Sequence, residues 1–249
     1  MKKIVVIISI LFIVSCNSES APDCFQNSGD VITKDFSVTA FSKITVFDNV
    51  ELVLKEGPNH TVRVSTGAFL MDDIDVVLVG NRLKLYDNNG CNITRDYGIT
   101  KIYVEAPNVT EIRSSTRFPI RSEGVLNYPE LNLLSEDFNA TESGIRVGIF
   151  DLEVNSSVVR ATVNGLSTIY LSGQTANLNI SYVAGDARFE GRFLVADNVN
   201  IFHRGTNDIT VNPQLKLKAN LVSTGNVISV NTPADLDVQE QYIGRVIFE

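Results

Sequence analysis

Seven glycines recur at almost constant intervals through the second half of the chain, and this spacing is the strongest constraint on its fold. The successive intervals are 20, 21, 20, 20, 20 and 19 residues. The glycines are Gly124, Gly144, Gly165, Gly185, Gly205, Gly225 and Gly244. A period near 20 residues is too short for a helix pair or a propeller blade, but it suits one coil of a β-solenoid. We therefore predict an internal repeat in which each coil bends at a glycine.

Apolar and polar residues alternate on both sides of these glycines, for example in residues 168–171 after Gly165 and in residues 178–180 before Gly185. Alternation with a period of two is typical of half-buried strands. We predict two strands and two corners in each coil, with parallel pairing between coils and apolar columns inside. The second corners are expected at Ser172-Gly173, Asn212-Pro213 and Thr232-Pro233. An antiparallel sandwich with evenly spaced turns is the alternative.

The glycines themselves are predicted to be scaffold. A sharp bend between strands favours a positive φ, which glycine adopts without steric cost. The residue before each glycine varies widely, from Glu123 and Arg204 to Ile243. Backbone shape is therefore what the corner requires, and a binding site is expected among outward strand positions between the glycines.

Residues 31–105 also alternate, with turns every 10 to 13 residues, but they lack the 20-residue period. We predict one β domain over residues 31–249. Within it, residues 31–105 form an irregular all-β part and residues 106–249 form the regular coils.

The first residues have the pattern of an export signal. Lys2 and Lys3 precede a mostly apolar run over residues 4–14, which is too short to span a bilayer, since spanning needs about 20 residues. A small residue and then Cys16 follow, as in a bacterial lipobox. We predict a lipoprotein signal peptide over residues 1–15, a lipid on Cys16, and a lipid-anchored tether over residues 16–30. An ordinary signal peptide with an incidental cysteine is the alternative.

Two further cysteines remain once Cys16 carries the lipid. Cys24 and Cys91 would meet an oxidising compartment after export, which favours a disulfide between them. Two free thiols are the alternative. A metal site is less favoured, because His60 and His203 have no cysteine or histidine neighbours at ligand spacing.

The charge of the chain argues against nucleic acid as a partner. The net charge is −8, and it becomes −10 once Lys2 and Lys3 leave with the signal peptide. An acidic protein repels phosphate backbones and anionic head groups. We expect no nucleic-acid partner, no cofactor, and contact with a membrane only through the lipid anchor.

Segments in both halves of the chain resemble a known family. Residues 41–46 and 50–57, and the glycine-centred stretch 165–185, are similar to the putative auto-transporter adhesin head GIN domain, over about residues 36–248. The resemblance implies a right-handed parallel β-helix without catalytic residues, in lipoproteins of the Bacteroidetes with a role in adhesion. The sequence segments around Cys24 and Cys91 are similar to segments that carry cysteines in many members of the family. The family's Gly-Ser-Gly corners, however, mostly have one glycine here.

No catalytic constellation is visible. The acidic groups are Asp72-Asp73 with Asp75, Glu136-Asp137, and Asp235 with Asp237, and the nearest arginines are Arg82, Arg146 and Arg245. These residues do not fall at equivalent positions of successive coils. Motifs for a serine nucleophile, a phosphate loop or repeat-bound calcium are absent. His60 and His203 are interpreted as surface residues, and the scattered aromatic residues as core and corner filling.

We therefore predict a non-enzymatic outer-membrane lipoprotein, at the cell surface or on the periplasmic face, that presents a solenoid surface to a glycan or protein ligand. A carbohydrate-active enzyme that uses the β-helix groove is one alternative, and a structural envelope component is another. The last strand, residues 245–248, would leave an open edge, so homo-oligomerisation is also considered.

Overall fold

The computed structural model describes residues 24, 26–90, 93, 98–138 and 144–249. The predicted signal peptide, Cys16 and Cys91 lie outside the described residues. Within them, regular structure is entirely β apart from one 3-10 turn at Met71–Asp73. The prediction of an all-β fold is confirmed.

Seventeen strands are found in the described residues, and all belong to one nearly closed, barrel-like sheet. The first ten are β1 (Val31–Phe36), β2 (Lys43–Asp48), β3 (Glu51–Glu56), β4 (Thr61–Gly67), β5 (Ile74–Val79), β6 (Arg82–Asp87), β7 (Lys101–Ala106), β8 (Glu111–Thr116), β9 (Pro119–Leu126) and β10 (Glu130–Ser135). The others are β11 (Ile149–Val163), β12 (Thr168–Tyr182), β13 (Arg188–His203), β14 (Ile209–Leu221), β15 (Val227–Ser229), β16 (Asp235–Glu240) and β17 (Val246–Phe248).

The strands pair in two continuous runs, which the long strands β11 to β14 join. Run one follows β5, β6, β2, β8 and β10, then the second halves of β11 to β14, and ends at β16. Run two follows β1, β4, β7, β3 and β9, then the first halves of β11 to β14, and ends at β15 and β17. From β6 and β7 onwards every pairing is parallel.

Parallel pairing repeats at the spacing of the glycines. Ile149 lies opposite Thr168, and Thr168 lies opposite Arg188, one repeat further on. The last pairings have a similar offset, with Val227 opposite Val246. The 20-residue period in the sequence therefore corresponds to the distance along the chain between one strand and its parallel neighbour.

Inward side chains form apolar columns that cross the strands. The column of run one contains Ile44, Ile112, Leu133, Ala161, Ile180, Ile201 and Ala219, all buried. The column of run two contains Leu52, Ile120, Phe150, Ile169, Phe189, Ile209 and Val227, also buried. Burial of apolar surface contributes about 25 cal/mol per Å², so these columns are the main stabilising element of the stack.

Strands of the N-terminal part belong to the same stack, but they pair with strands that are far from them in the sequence. Strands β2 and β3 lie between β6 and β7 on one side and β8 and β9 on the other, so that Ile44 is opposite Ile112. Strands β5, β4 and β1 then add in antiparallel fashion beyond β6 and β7. Residues 31–105 show no 20-residue period because their neighbours in the stack are not one repeat away.

The predicted second corners do not separate strands at two of the three positions. Ser172-Gly173 lies inside β12, and Asn212-Pro213 lies inside β14. The strands continue through these positions, but their pairing is irregular, with register shifts at Tyr170/Ser172, Glu190/Val195 and Ala196/Asn198. Each of these repeats therefore has one long strand in place of two, because pairing with the neighbouring strand resumes after each irregularity.

Six of the seven ladder glycines lie in the connections between strands, and close packing of backbones explains four of them. A Cβ on Gly185 would lie 2.1 Å from the carbonyl oxygen of Gly165, and one on Gly244 would lie 2.2 Å from that of Gly225. Gly165 and Gly225 show similar clashes with backbone oxygens, at 2.4 and 2.3 Å. Glycine is needed where one repeat rests directly on the next.

The expectation that the ladder glycines have positive φ is wrong for most of them. Among the seven, only Gly124 and Gly185 have positive φ, at 83° and 90°. Gly124 is not at a corner either, since it lies inside β9 where the register with β11 shifts. A Cβ on Gly144 would enter space that is open with respect to the described residues.

Candidate functional site

Outward side chains of run two line a groove on the middle of the stack. Asp151, Tyr170 and Glu190 occupy paired positions on β11, β12 and β13, so their side chains follow one another across the strands. Adjacent strands lie about 4.8 Å apart. Together with Arg192 and Phe193 they line a concavity of about 560 Å³, which we call the aromatic groove.

Extra residues in β13 place the second aromatic ring. Glu190 pairs with Thr210 and Val195 with Asn212, so β13 has three more residues than β14 between these two pairs. The bulged segment turns Phe193 outward, and this side chain is 77% exposed. Tyr170 is 45% exposed. Two large aromatic side chains are thus presented to solvent in the same groove.

Ion pairs hold the charged side chains of the groove. Arg121 Nη1 lies 2.6 Å from Asp151 Oδ2, and Arg188 pairs with Glu190. Arg192 makes a two-pronged contact with the carboxylate of Glu249, at 2.6 and 3.0 Å. Each carboxylate is oriented by a guanidinium and still has oxygen lone pairs open to solvent.

The carboxylates of the groove can accept hydrogen bonds from a ligand. Asp151 is half exposed, and both Asp151 and Glu190 pair with arginines. In the described part of the chain no group of three or more His, Cys, Asp or Glu residues is placed to hold a metal ion.

A row of side-chain amides continues from the groove along the same strands. Asn155 donates to Asn127 and Gln174 donates to Asn155, each at 2.9 Å. These side chains border a second concavity of about 510 Å³, which also includes Val195 and Asp197. Because Gln174 and Val195 come two residues after Ser172 and Phe193, the two concavities adjoin.

The acidic groups noted in the sequence are dispersed, and several of their carboxylates form ion pairs. Asp137 contacts Arg146 at 2.6 Å, and Asp235 contacts Lys216 at 2.8 Å. Glu136 is fully buried, and its Oε1 lies 2.7 Å from Arg113 Nη1. These carboxylates therefore stabilise separate parts of the fold and do not converge on one site.

The interpretation of His203 as a surface residue is wrong. It is 1% exposed and faces inward beside Tyr182, its partner in the parallel register. The Gly205 amide donates to Nδ1 at 3.2 Å, and Nε2 lies 2.9 Å from the Asn207 carbonyl oxygen. This pattern fits a neutral ring protonated on Nε2. His60, by contrast, is half-buried and contacts the Phe41 carbonyl and ring.

We expect the stability of the fold to decrease as the pH falls from 7 to 5. Burial lowers the pKa of His203, although the Asn207 carbonyl and Asp208 act in the opposite direction. The unfolded chain then binds the proton more readily, so stability is present above the unfolded pKa of about 6.5 and is lost below it. Urea unfolding at both pH values checks this. His203→Gln should flatten the difference, and an equal loss of stability in this variant would contradict the role given to His203.

Cys24 is disulfide-bonded in the structure. Its carbonyl oxygen accepts a hydrogen bond from the amide of Ile93 at 3.1 Å. This bond places Cys24 beside Ile93, which is two residues from Cys91 in the sequence, and Cys91 itself lies outside the described residues. The pairing of Cys24 with Cys91 and the lipid on Cys16 remain predictions.

The chain belongs to the family described as "Putative auto-transporter adhesin, head GIN domain", whose model matches residues 40–233. This match confirms the resemblance seen in the sequence. Among curated proteins none matches significantly.

Solved structures of Bacteroidetes proteins share the fold. A putative adhesin from Bacteroides fragilis is 17% identical with a TM-score of 0.77, over 90% of this chain and 99% of that one. A putative adhesin from Parabacteroides distasonis has 14% identity and a TM-score of 0.61, over 90% and 99% of the two chains. A putative lipid binding protein from the same species has 15% identity and a TM-score of 0.59, over 88% and 97%.

No described helix has the length and hydropathy needed to cross a bilayer.

Proposed function

We propose that this protein is a non-enzymatic binding module of the cell envelope, and that its aromatic groove binds a glycan. The observation that carries the proposal is the exposure of Tyr170 and Phe193 beside Asp151 and Glu190 in one concavity. Aromatic rings pack against the apolar faces of sugar rings, while oriented carboxylates accept hydrogen bonds from hydroxyls. Membership of a family described as adhesins supports a binding role.

The stack supports recognition of an extended chain. We propose that the parallel strands form a right-handed β-helix with coils of about 20 residues, consistent with the pairing of Thr168 with Arg188 and Val227 with Val246. Successive coils present outward groups at a regular rise, so a polymer can contact several of them. The adjoining amides of Asn155 and Gln174 offer donors and acceptors beyond the aromatic groove.

We also propose that the protein is exported and lipidated. The lipobox-like sequence at Cys16 would anchor the module to the outer membrane, and an adhesin must face outward. Protease treatment of intact cells tests this orientation. Cleavage is expected, and complete protection would exclude adhesion to external ligands.

We expect glycan binding to depend on both aromatic residues. Tyr170→Ala and Phe193→Ala should each weaken binding to the best ligand of a glycan array at least about tenfold, or about 1.4 kcal/mol, because aromatic anchors dominate interfaces. Isothermal titration with the purified protein measures the change.

Phe202→Ala is the matched control, since Phe202 is an exposed aromatic residue on run one, away from the groove. It should retain the affinity of the wild type. Equal losses in all three variants, or no glycan binding by the wild type, would contradict the proposal.

A further inference from the structure

The two ends of the stack are built differently. At one end the antiparallel strands β5, β4 and β1 cover β6 and β7. At the other end, within the described residues, β16 pairs only with β14, and β17 pairs only with β15. Among the described residues no strand lies beside the outer sides of β16 and β17, which carry backbone donors and acceptors.

Several inward side chains of this last repeat are apolar and exposed. Leu236 and Val238 continue the column of Leu217 and Ala219, yet they are 44% and 36% exposed while Leu217 and Ala219 are buried. Phe248 continues run two and is 40% exposed. Native edge strands usually avoid exposed apolar rows by pointing charges inward or by being covered, and on β16 one charged residue, Glu240 opposite Leu221, lies on the inward side. A further strand at this end of the stack could cover these exposed apolar side chains.

The outward side chains of β16 define which strand fits. Asp235 and Asp237 alternate with Leu236 and Val238, and the lysines of β14 face them, with Lys216 Nζ 2.8 Å from Asp235 and Lys218 Nζ 3.4 Å from Asp237. A strand on the free side of β16 would meet the same two rows. Opposite charges on neighbouring strands are favourable, so basic outward residues and apolar inward residues are required.

We propose that the free edge of β16 binds an extended segment of another protein in which lysine or arginine alternates with apolar residues, by addition of a strand. The segment would repeat on the outer side of β16 the pattern that β14 presents on the inner side. A second copy of this chain fits less well, because two β16 edges would bring the outward Asp235 and Asp237 of both copies against one another, and like charges on neighbouring strands are unfavourable.

A labelled peptide with the sequence of residues 215–221 tests the proposal, because it contains the lysine pattern of β14. Fluorescence anisotropy with the full chain should show saturable binding. A peptide with both lysines changed to glutamate should bind at least tenfold more weakly, and Asp237→Lys should reverse this preference. Leu236→Lys should weaken binding of the lysine peptide at least tenfold, because it places a charge in the apolar row.

Two controls separate this edge from other surfaces. Glu153→Lys changes an exposed acid on β11, and Tyr170→Ala alters the aromatic groove, and both should leave peptide binding unchanged. Absence of binding, or equal affinity for the two peptides, would overturn the proposal. So would self-association in light scattering that Leu236→Lys abolishes, since a second copy would then occupy the edge. Because Asp237 is solvent-facing, its variant keeps the test valid if Leu236→Lys fails to fold.

Discussion

Gly185→Ala is expected to destabilise the fold by roughly 2–5 kcal/mol. The new Cβ would lie 2.1 Å from the carbonyl oxygen of Gly165, in the connection of the preceding repeat. The φ of +90° at this residue adds strain for any side chain. Strain of this kind and a clash in packed surroundings each cost about 1–3 kcal/mol. Chemical denaturation, with the change in midpoint converted through a common m-value, measures the loss.

Gly144→Ala is the matched control on the same glycine ladder. A Cβ on Gly144 would meet no atom of the described residues within 4 Å, and its φ is not positive. Its replacement should therefore change stability by less than about 0.5 kcal/mol. Similar losses in the two variants would show that the ladder is not explained by backbone contact between repeats.

Arg113→Met is expected to cost about 3–5 kcal/mol, because it removes a cation that lies beside a buried carboxylate. Arg113 Nη1 lies 2.7 Å from Glu136 Oε1 and donates to the Glu136 carbonyl at 2.8 Å. The side chains are 7% and 0% exposed. Thermal or urea unfolding of the single variant measures the effect.

The double variant Arg113→Met/Glu136→Leu should recover most of that loss, since it removes both charges from the interior. Lys55→Met is the exposed comparison, because the Lys55–Glu123 pair lies at the surface and should be worth less than about 1 kcal/mol. A double variant as unstable as Arg113→Met alone would contradict the assignment of the cost to a buried carboxylate that has lost the Arg113 guanidinium.

The sequence predicts the fold well in the part where paired strands are one repeat apart along the chain. Alternation gives the inward side chains, and the glycine ladder gives the offset between parallel strands. The same reasoning fails for β2, because Ile44 pairs with Ile112, far along the chain. The sequence also suggests positive φ as the reason for the ladder glycines, whereas most of them do not have positive φ. Contact between backbones of successive repeats depends on stacking distance, which alternation alone does not specify.

The aromatic groove could not be predicted from the sequence, for a related reason. Tyr170 and Phe193 are distant in sequence, and single aromatic residues in alternating strands usually fill the core, as Phe150 and Tyr182 do here. Aligning the repeats would put Tyr170 in an outward row with Asp151 and Glu190. Phe193 could not be placed in this way, because the bulge in β13 breaks the alignment at this residue.

A crystal structure of the protein with its best oligosaccharide ligand is the most direct test of the proposal that the aromatic groove binds a glycan. We predict a sugar ring stacked on Tyr170, contact with Phe193, and hydroxyls hydrogen-bonded to Asp151 or Glu190. An oligosaccharide bound elsewhere, with the rings of Tyr170 and Phe193 still exposed to solvent, would contradict the claim.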